Sequence, residues 1–214
     1  MNHPIKVILV DDHAVVRAGF RMLLSTEANI EVIAEADRGE QACQLYLEQQ
    51  PDVMVMDLSM PGIGGLESIR RICMRDPNAK LLVFSVHDER VYVDRSLQAG
   101  AKGYITKHGA PEILITAIQK VAAGEIYVEQ GLLKNSSNEI NTLNYQAIIA
   151  SLSGREFDIF LLLAKGLTVH KIADELCLGY KTVANYGTQI RTKLHVTTVA
   201  ELAHIAMILG VMKK

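Results

Sequence analysis

At 214 residues, with 49% apolar and 21% charged residues, the chain is large enough for one or two folded cores and too apolar to be mainly disordered. No apolar run reaches the roughly 18 residues of a spanning helix, and the start MNHPIKVILVDDH meets acids too soon for a signal peptide, so a soluble, cytoplasmic protein with no membrane partner is expected. The formal net charge of −2 conceals an acidic body, residues 1–147 with 14 basic against 19 acidic side chains, and a mildly basic remainder, residues 148–214 with 8 against 5.

Through the first 123 residues, short β-branched or aliphatic runs (5–10, 31–36, 52–56, 80–84, 103–106) alternate with segments of helical period (14–26, 39–49, 64–75, 89–99, 111–123). This alternation predicts an α/β domain whose five-stranded parallel sheet is doubly wound. Residues 124–147 lose the period around KNSSNEIN and read as a linker. Residues 148–214 form a second, all-α domain. Ser153 and Glu156 make a capping box ahead of Phe157, Phe160, Leu161 and Ala164, and Gly166 ends that helix. Thr168 caps a second helix reaching residue 176, Gly179 turns the chain, and a third helix spans 181–194. Thr198 with Glu201 opens a fourth, carrying Leu202, Ala203, Ile205, Ala206 and Leu209. Cys43, Cys73 and Cys177 are odd in number, far apart and set in apolar periodic segments, as reduced thiols would be.

In a doubly wound sheet the strand C-termini share one edge, and ligands bind there, where strand order reverses. Asp11 and Asp12 leave the first strand, Asp57 the third, Ser85 the fourth and Lys107 the fifth. Three carboxylates, a hydroxyl and an ammonium are therefore expected to converge. Clustered carboxylates repel, so such a site raises a pKa or recruits a hard divalent cation, for which Mg2+ is the natural choice. One carboxylate can then attack a phosphoryl group while the cation and Lys107 neutralise its equatorial oxygens and Ser85 donates to one of them. Taken singly, each part has a plainer reading: the Asp pair as a helix N-cap, Asp57 as a turn former, Lys107 as a solvated charge. Their joint convergence favours the chemical reading. Gly62, Gly64 and Gly65 lack the dinucleotide fingerprint and the P-loop Lys, and are expected to shape the turn beside Asp57.

On a helical wheel of the third C-terminal helix, Ile190 and Leu194 each fall within about 20° of Val183, and the three define a buried stripe. Lys181, Ala184, Asn185, Thr188 and Thr192 gather opposite, on a short, polar, acid-free face that suits a major groove lined by phosphates. An ordinary amphipathic helix with a solvated face would show the same wheel.

Through ILVDDHAVVRAGFRMLL, DVMVMDLSMPGIGGLESIRRI, LLVFSVHDE and QAGAKGYITK, in that order and at matching spacing, the chain resembles two-component response regulators of the NarL/FixJ family. The run SLSGREFDIFLLLAKGLTVHKIADELCLGYKTVANYGTQIRTKL is similar to the LuxR-type helix-turn-helix that ends such regulators. The resemblance implies a flavodoxin-like receiver over 1–123, with strand order 2-1-3-4-5, and a four-helix DNA-binding domain over 148–214. It implies that Asp57 accepts the phosphoryl group, that Asp11, Asp12, Asp57 and the Ser59 carbonyl serve Mg2+, that Lys107 binds the phosphoryl group, and that Ser85 and Tyr104 switch, the tyrosine ring turning inward. It implies base contacts by Ala184, Asn185 and Thr188, phosphate contacts by Lys181, Thr182, Tyr186, Arg191 and Lys193, and dimerisation through Val199, Leu202, Ala203, Ala206 and Leu209. The implied partners are a sensor histidine kinase, double-stranded DNA, a second copy when active, and RNA polymerase. The protein would be a stoichiometric phospho-acceptor with slow self-dephosphorylation, not an enzyme.

Asn suits adenine and the Ala and Thr methyls suit thymine, so an A/T-leaning half-site is expected. Three positions depart from the wider pattern or vary within it. His108 replaces a proline that is often cis, and a trans bond is expected because a non-proline cis bond costs about 2.5–4 kcal/mol. Gly187 lowers helix propensity by about 1 kcal/mol relative to Ala. His87 falls where relatives tune dephosphorylation, although a solvated loop histidine is the simpler expectation. Two rivals differ in class. A haloacid-dehalogenase-type phosphotransferase needs a second Asp two residues after the nucleophile, where this chain has Ser59. A protein-binding adaptor would lack DNA affinity.

Overall fold

The computed structural model describes residues 3–132, 148–149 and 151–212, which fall into two compact units. In the first, strands β1 (Ile5–Val10), β2 (Ile30–Ala36), β3 (Val53–Met56), β4 (Leu81–Ser85), β5 (Gly103–Thr106) and β6 (Tyr127–Val128) form one sheet in the order β2-β1-β3-β4-β5-β6. All pairings are parallel. Helices α1 (Ala14–Leu24), α2 (Gly39–Gln49), α3 (Gly64–Arg75), α4 (Arg90–Gln98) and α5 (Pro111–Ala122) supply the crossovers. Parallel sheets are covered on both faces, which is why β3 reads as an unbroken apolar run. Val7, Leu9, Val53, Val55, Leu82, Phe84 and Ile105 pack with residues of α1 and α5. Their alternates Ile8, Val10, Met54 and Met56 are equally buried and, by strand alternation, point to the other face.

The expected strand order stands, but the count of five is corrected to six. Tyr127 and Val128, expected within the linker, pair with Gly103 and Tyr104 of β5. The Glu129 carboxylate then accepts from the Thr106 backbone N–H at 2.6 Å and from its hydroxyl at 2.9 Å. Hydrogen bonding to the strand that carries Tyr104 therefore runs on through residue 129. The rest of the expected linker, residues 133–147, lies outside the described residues.

The second unit contains α6 (Gly154–Ala164), α7 (Val169–Glu175), α8 (Tyr180–Leu194) and α9 (Val199–Ile208). Its caps are those expected: capping boxes at Ser153/Glu156 and Thr198/Glu201, and a Thr168 hydroxyl accepting from Lys171 N–H. Gly166 leaves α6 at φ +81°, in the left-handed region that glycine enters without strain. The core joins Phe157 and Phe160 of α6 to Ile172, Val183, Ile190, Leu194, Leu202 and Ile205, all at most 3% exposed.

Gly187 lies on the buried side of α8. A Cβ there would meet Arg191 Nη1 at 3.5 Å and Leu163 Cδ1 at 3.6 Å, ordinary van der Waals separations. Gly187→Ala is therefore expected to stabilise the domain by about 1 kcal/mol through helix propensity. Urea unfolding of variant and parent checks it, and a lower midpoint for the variant would contradict it.

Candidate functional site

Strand order reverses between β1 and β3, and the residues that follow these two strands form the floor of the site. The Asp57 N–H donates to the Val10 carbonyl at 2.9 Å, which fixes the end of β3 beside the end of β1. Asp57 is 2% exposed and Asp11 5%, while Asp12 lies open at the rim. Lys107, leaving β5, places its ammonium 2.5 Å from Asp11 Oδ2 and 2.7 Å from Asp57 Oδ2. Burial pushes the Asp57 carboxyl above the usual carboxylate range, against the opposing pull of Lys107. Burial also works against the Lys107 ammonium, but Asp57 and Asp11 outweigh it and hold that group above its ordinary value.

Metal-ligating atoms of Asp11, Asp12, His13 and Asp57 all lie within 4.8 Å of one another. Lys107 is one ammonium against the three carboxylates of Asp11, Asp12 and Asp57, and the mainly oxygen donor set fits a hard divalent cation. Ser59 is exposed and its N–H donates to Asp57 Oδ1 at 3.3 Å. Gly65 packs so closely that a Cβ would overlap the backbone of Asp57 and Leu58. The glycine expected to shape this turn does so by letting α3 approach the acceptor strand.

The remaining pocket residues meet at His87. Ser85 and Tyr104 are fully buried; the Ser85 hydroxyl accepts from His87 N–H at 3.3 Å, and the Tyr104 hydroxyl donates to the His87 carbonyl at 2.9 Å. The tyrosine ring, whose inward turn the resemblance ties to switching, is already inside. The expectation of a solvated His87 is corrected: its ring stacks on Tyr92 at 3.9 Å and 6°, with Nε2 3.1 Å from Ser59 Oγ. Tyr92, near the start of the helix after β4, was the signal available in the sequence. No described peptide bond is cis, Lys107–His108 included.

In the second unit, Lys181, Thr182, Asn185 and Thr188 are exposed on α8, and Ala184, Tyr186 and Arg191 are half-buried. Gln189, which sequence reasoning passed over, is exposed on the same helix. It stands about 40° from Asn185 on a 100° wheel, so including it would have completed the polar face. Arg191 Nη1 donates to the Gly187 carbonyl at 3.3 Å. Lys193 is engaged inside the domain, its ammonium 2.7 and 2.9 Å from the two oxygens of buried Glu156. Burial works against the Glu156 carboxylate, but Lys193 and Ser153 outweigh it and hold its pKa below the usual range.

The expected dimer set divides. Leu202 and Ala206 are fully buried in their own unit, where α9 packs on α6, so they offer nothing to a second copy. Val199 is 42% exposed and Ala203 and Leu209 are half-buried, while Met207, not anticipated, is 40% exposed.

A sheet edge of this composition, on a chain that goes on into a capped helix-turn-helix, defines a response regulator with a DNA-binding output domain. Residues 7–119 match the response regulator receiver domain and residues 150–206 the luxR family of bacterial regulatory proteins, and the chain belongs to the NarL/FixJ-type response regulators of two-component systems. It is 38% identical to the transcriptional activator protein ExaE of Pseudomonas putida, covering 97% of this chain and 98% of that one. It is 39% identical to the response regulator GacA of Pseudomonas aeruginosa, covering 95% of each. Among solved structures, a LuxR-family response regulator from Aurantimonas is 38% identical over 60% of this chain and 92% of its own, with a TM-score of 0.59. Salmonella enterica RcsB, solved bound to a promoter with a phosphomimetic, shares the fold with a TM-score of 0.62, covering 98% of this chain and 100% of its own at 24% identity. No described helix is long and apolar enough to cross a membrane.

Proposed function

We propose that Asp57 accepts a phosphoryl group from a sensor histidine kinase in the cytoplasm, and that its phosphorylation controls dimerisation and DNA binding at promoters served by RNA polymerase. The observation that carries this reading is a buried Asp57 carboxylate bridged by Lys107 to a second buried carboxylate, Asp11, at the reversal of strand order. An Asp57 oxygen attacks the phosphorus of a phosphohistidine. The new O–P bond forms as the N–P bond breaks, and the bonding pair returns to the imidazole nitrogen. Lys107 shifts its ammonium from carboxylate to phosphoryl oxygen, and Ser85 turns its hydroxyl toward another. Asp11, Asp12, Asp57 and the Ser59 carbonyl would hold Mg2+, which when bound offsets phosphoryl charge. Slow hydrolysis of the acyl phosphate resets the protein. Ser59 stands where a phosphotransferase would need its second carboxylic acid, so turnover of phosphoesters is not expected.

On DNA, Asn185, Ala184 and Thr188 face base edges of an A/T-leaning half-site, with Gln189 beside them. Lys181, Thr182, Tyr186 and Arg191 contact phosphates, and Lys193 does so only by loosening its pairing with Glu156. Val199, Ala203, Met207 and Leu209 supply the second copy's contact surface. The 38% identity to a transcriptional activator supports transcriptional output.

The test is to treat the full chain with acetyl phosphate and Mg2+, then follow size by light scattering and affinity for a selected DNA site by anisotropy. A phosphorylation-dependent dimer and at least about tenfold tighter DNA binding are expected, about 1.4 kcal/mol of coupling. Equal affinity with and without phosphorylation, or a G/C-rich selected site, overturns the corresponding part.

A further inference from the structure

We infer that His13 supplies a nitrogen ligand to the cation at this edge, so that the pocket binds imidazole-accepting divalent ions such as Mn2+ and Co2+ through a contact that Mg2+ uses little. The inference rests on the metal-pocket reading above and goes beyond its oxygen ligands.

His13 Nδ1 lies 2.8 Å from Asp12 Oδ1 and 3.3 Å from Asp11 Oδ1, within a group of four ligand atoms spanning at most 4.8 Å. Ligands about 2.1 Å from an octahedral ion stand about 3 Å apart when adjacent and about 4.2 Å apart when opposite. The two His13 separations, 2.8 and 3.3 Å, are those of adjacent ligands, and the group as a whole spans no more than 4.8 Å.

The backbone fixes the ring in this place. His13 is the N-cap residue of α1, at φ −87° and ψ 102°, yet its side chain makes no capping bond. Its N–H instead donates to Asp11 Oδ1 at 2.8 Å, so the turn that sets the carboxylate also sets the imidazole. With its side chain 66% exposed, the ring can ligate without vacating any core packing.

Asp11 is used from two sides: Oδ2 faces the Lys107 ammonium and Oδ1 faces His13. A cation on the His13 side can thus meet Asp11 Oδ1, which also accepts from the His13 N–H, without displacing Lys107. Carboxylate and carbonyl oxygens suit Mg2+ and Mn2+, whereas imidazole favours the later divalent ions. Any oxygen site also binds those ions more tightly than Mg2+, so the part of the affinity that depends on His13 is the discriminating quantity.

The experiment uses the full chain and its His13→Ala and His13→Asn variants, the latter keeping a residue suited to a helix N-cap. Pulsed electron paramagnetic resonance of bound Mn2+ is expected to show imidazole nitrogen modulation in the parent and none in His13→Ala. Calorimetric titration is expected to show Co2+ binding weakened about tenfold in both variants, with Mg2+ affinity within about twofold of the parent. Bound Mn2+ without nitrogen modulation, or equal losses of Co2+ and Mg2+ affinity, overturns the role of His13 and leaves the oxygen pocket standing. Failure of the parent to bind any of these ions overturns the pocket reading and this inference together.

Discussion

Asp57→Asn is expected to abolish labelling by acyl phosphates and, at the same time, to raise the melting temperature. The first effect follows because an amide offers no nucleophilic oxygen of comparable strength, and Asp11 is tied to Lys107. The second follows from charge. Two buried carboxylates share one ammonium, and desolvation dominates the upward displacement of the Asp57 pKa. A folded carboxyl whose pKa is raised binds protons that the unfolded chain does not, so native stability falls as pH climbs from the unfolded value of about 3.9 through the folded one. At neutral pH the ionised Asp57 is thus a net liability. Asn removes it while Lys107 keeps Asp11 as partner, so no buried charge is stranded, and a gain of about 1 kcal/mol is the expected scale. Phosphoryl labelling and thermal melts at pH 5 and pH 7 check both halves, and the gain should be larger at pH 7. Label retained by the variant, or a variant less stable at pH 7, would sink the assignment.

The pocket was legible because sheet topology does the convergence: a residue just past a parallel strand has only one edge on which to stand, so Asp11, Asp57, Ser85 and Lys107 could be placed before any contact was known. β6 was not legible. Two residues, Tyr127 and Val128, are too short for a period of two to show against a turn-rich background. They form a strand because β5 offers them an unpaired edge. His87 was misjudged for a related reason, since the ring that shelters it comes from the following helix and not from its own loop.

In the helical unit, the capping boxes are local and were read directly, whereas the sides of α9 were not. Val199, Ala203 and Met207 run along one flank, and Leu202, Ile205 and Ala206 along another. The helix is apolar nearly all round, and no wheel could say which flank α6 covers. Lys193 illustrates the same limit. It looks outward on its own helix, and only the fold brings Glu156 from 37 residues away to meet it.

Lys107→Met is the complementary case, expected to destabilise the receiver by about 3–5 kcal/mol at pH 7 because it leaves two buried carboxylates facing each other without their cation. Methionine keeps the length and apolar character of the lysine stem, which runs near the Phe84 ring with its ammonium 5.9 Å from the centroid. Lost packing is then a minor part of the effect. Without the ammonium, the pull that opposes burial at Asp57 is gone and its carboxyl is raised further, so the variant's native state takes up protons ahead of its unfolded chain. Its stability should therefore recover as pH falls from 7 toward the unfolded carboxylate value of about 3.9, and the gap to the parent should narrow over that interval. Added Mg2+ should narrow the gap at pH 7 as well, since a cation on Asp11 and Asp57 supplies the missing charge. Denaturant unfolding of both proteins at two pH values, with and without Mg2+, resolves these contributions. A variant within about 1 kcal/mol of the parent at pH 7 would mean that solvent already screens the pair, and that ionised Asp57 is not the electrostatic liability its burial implies.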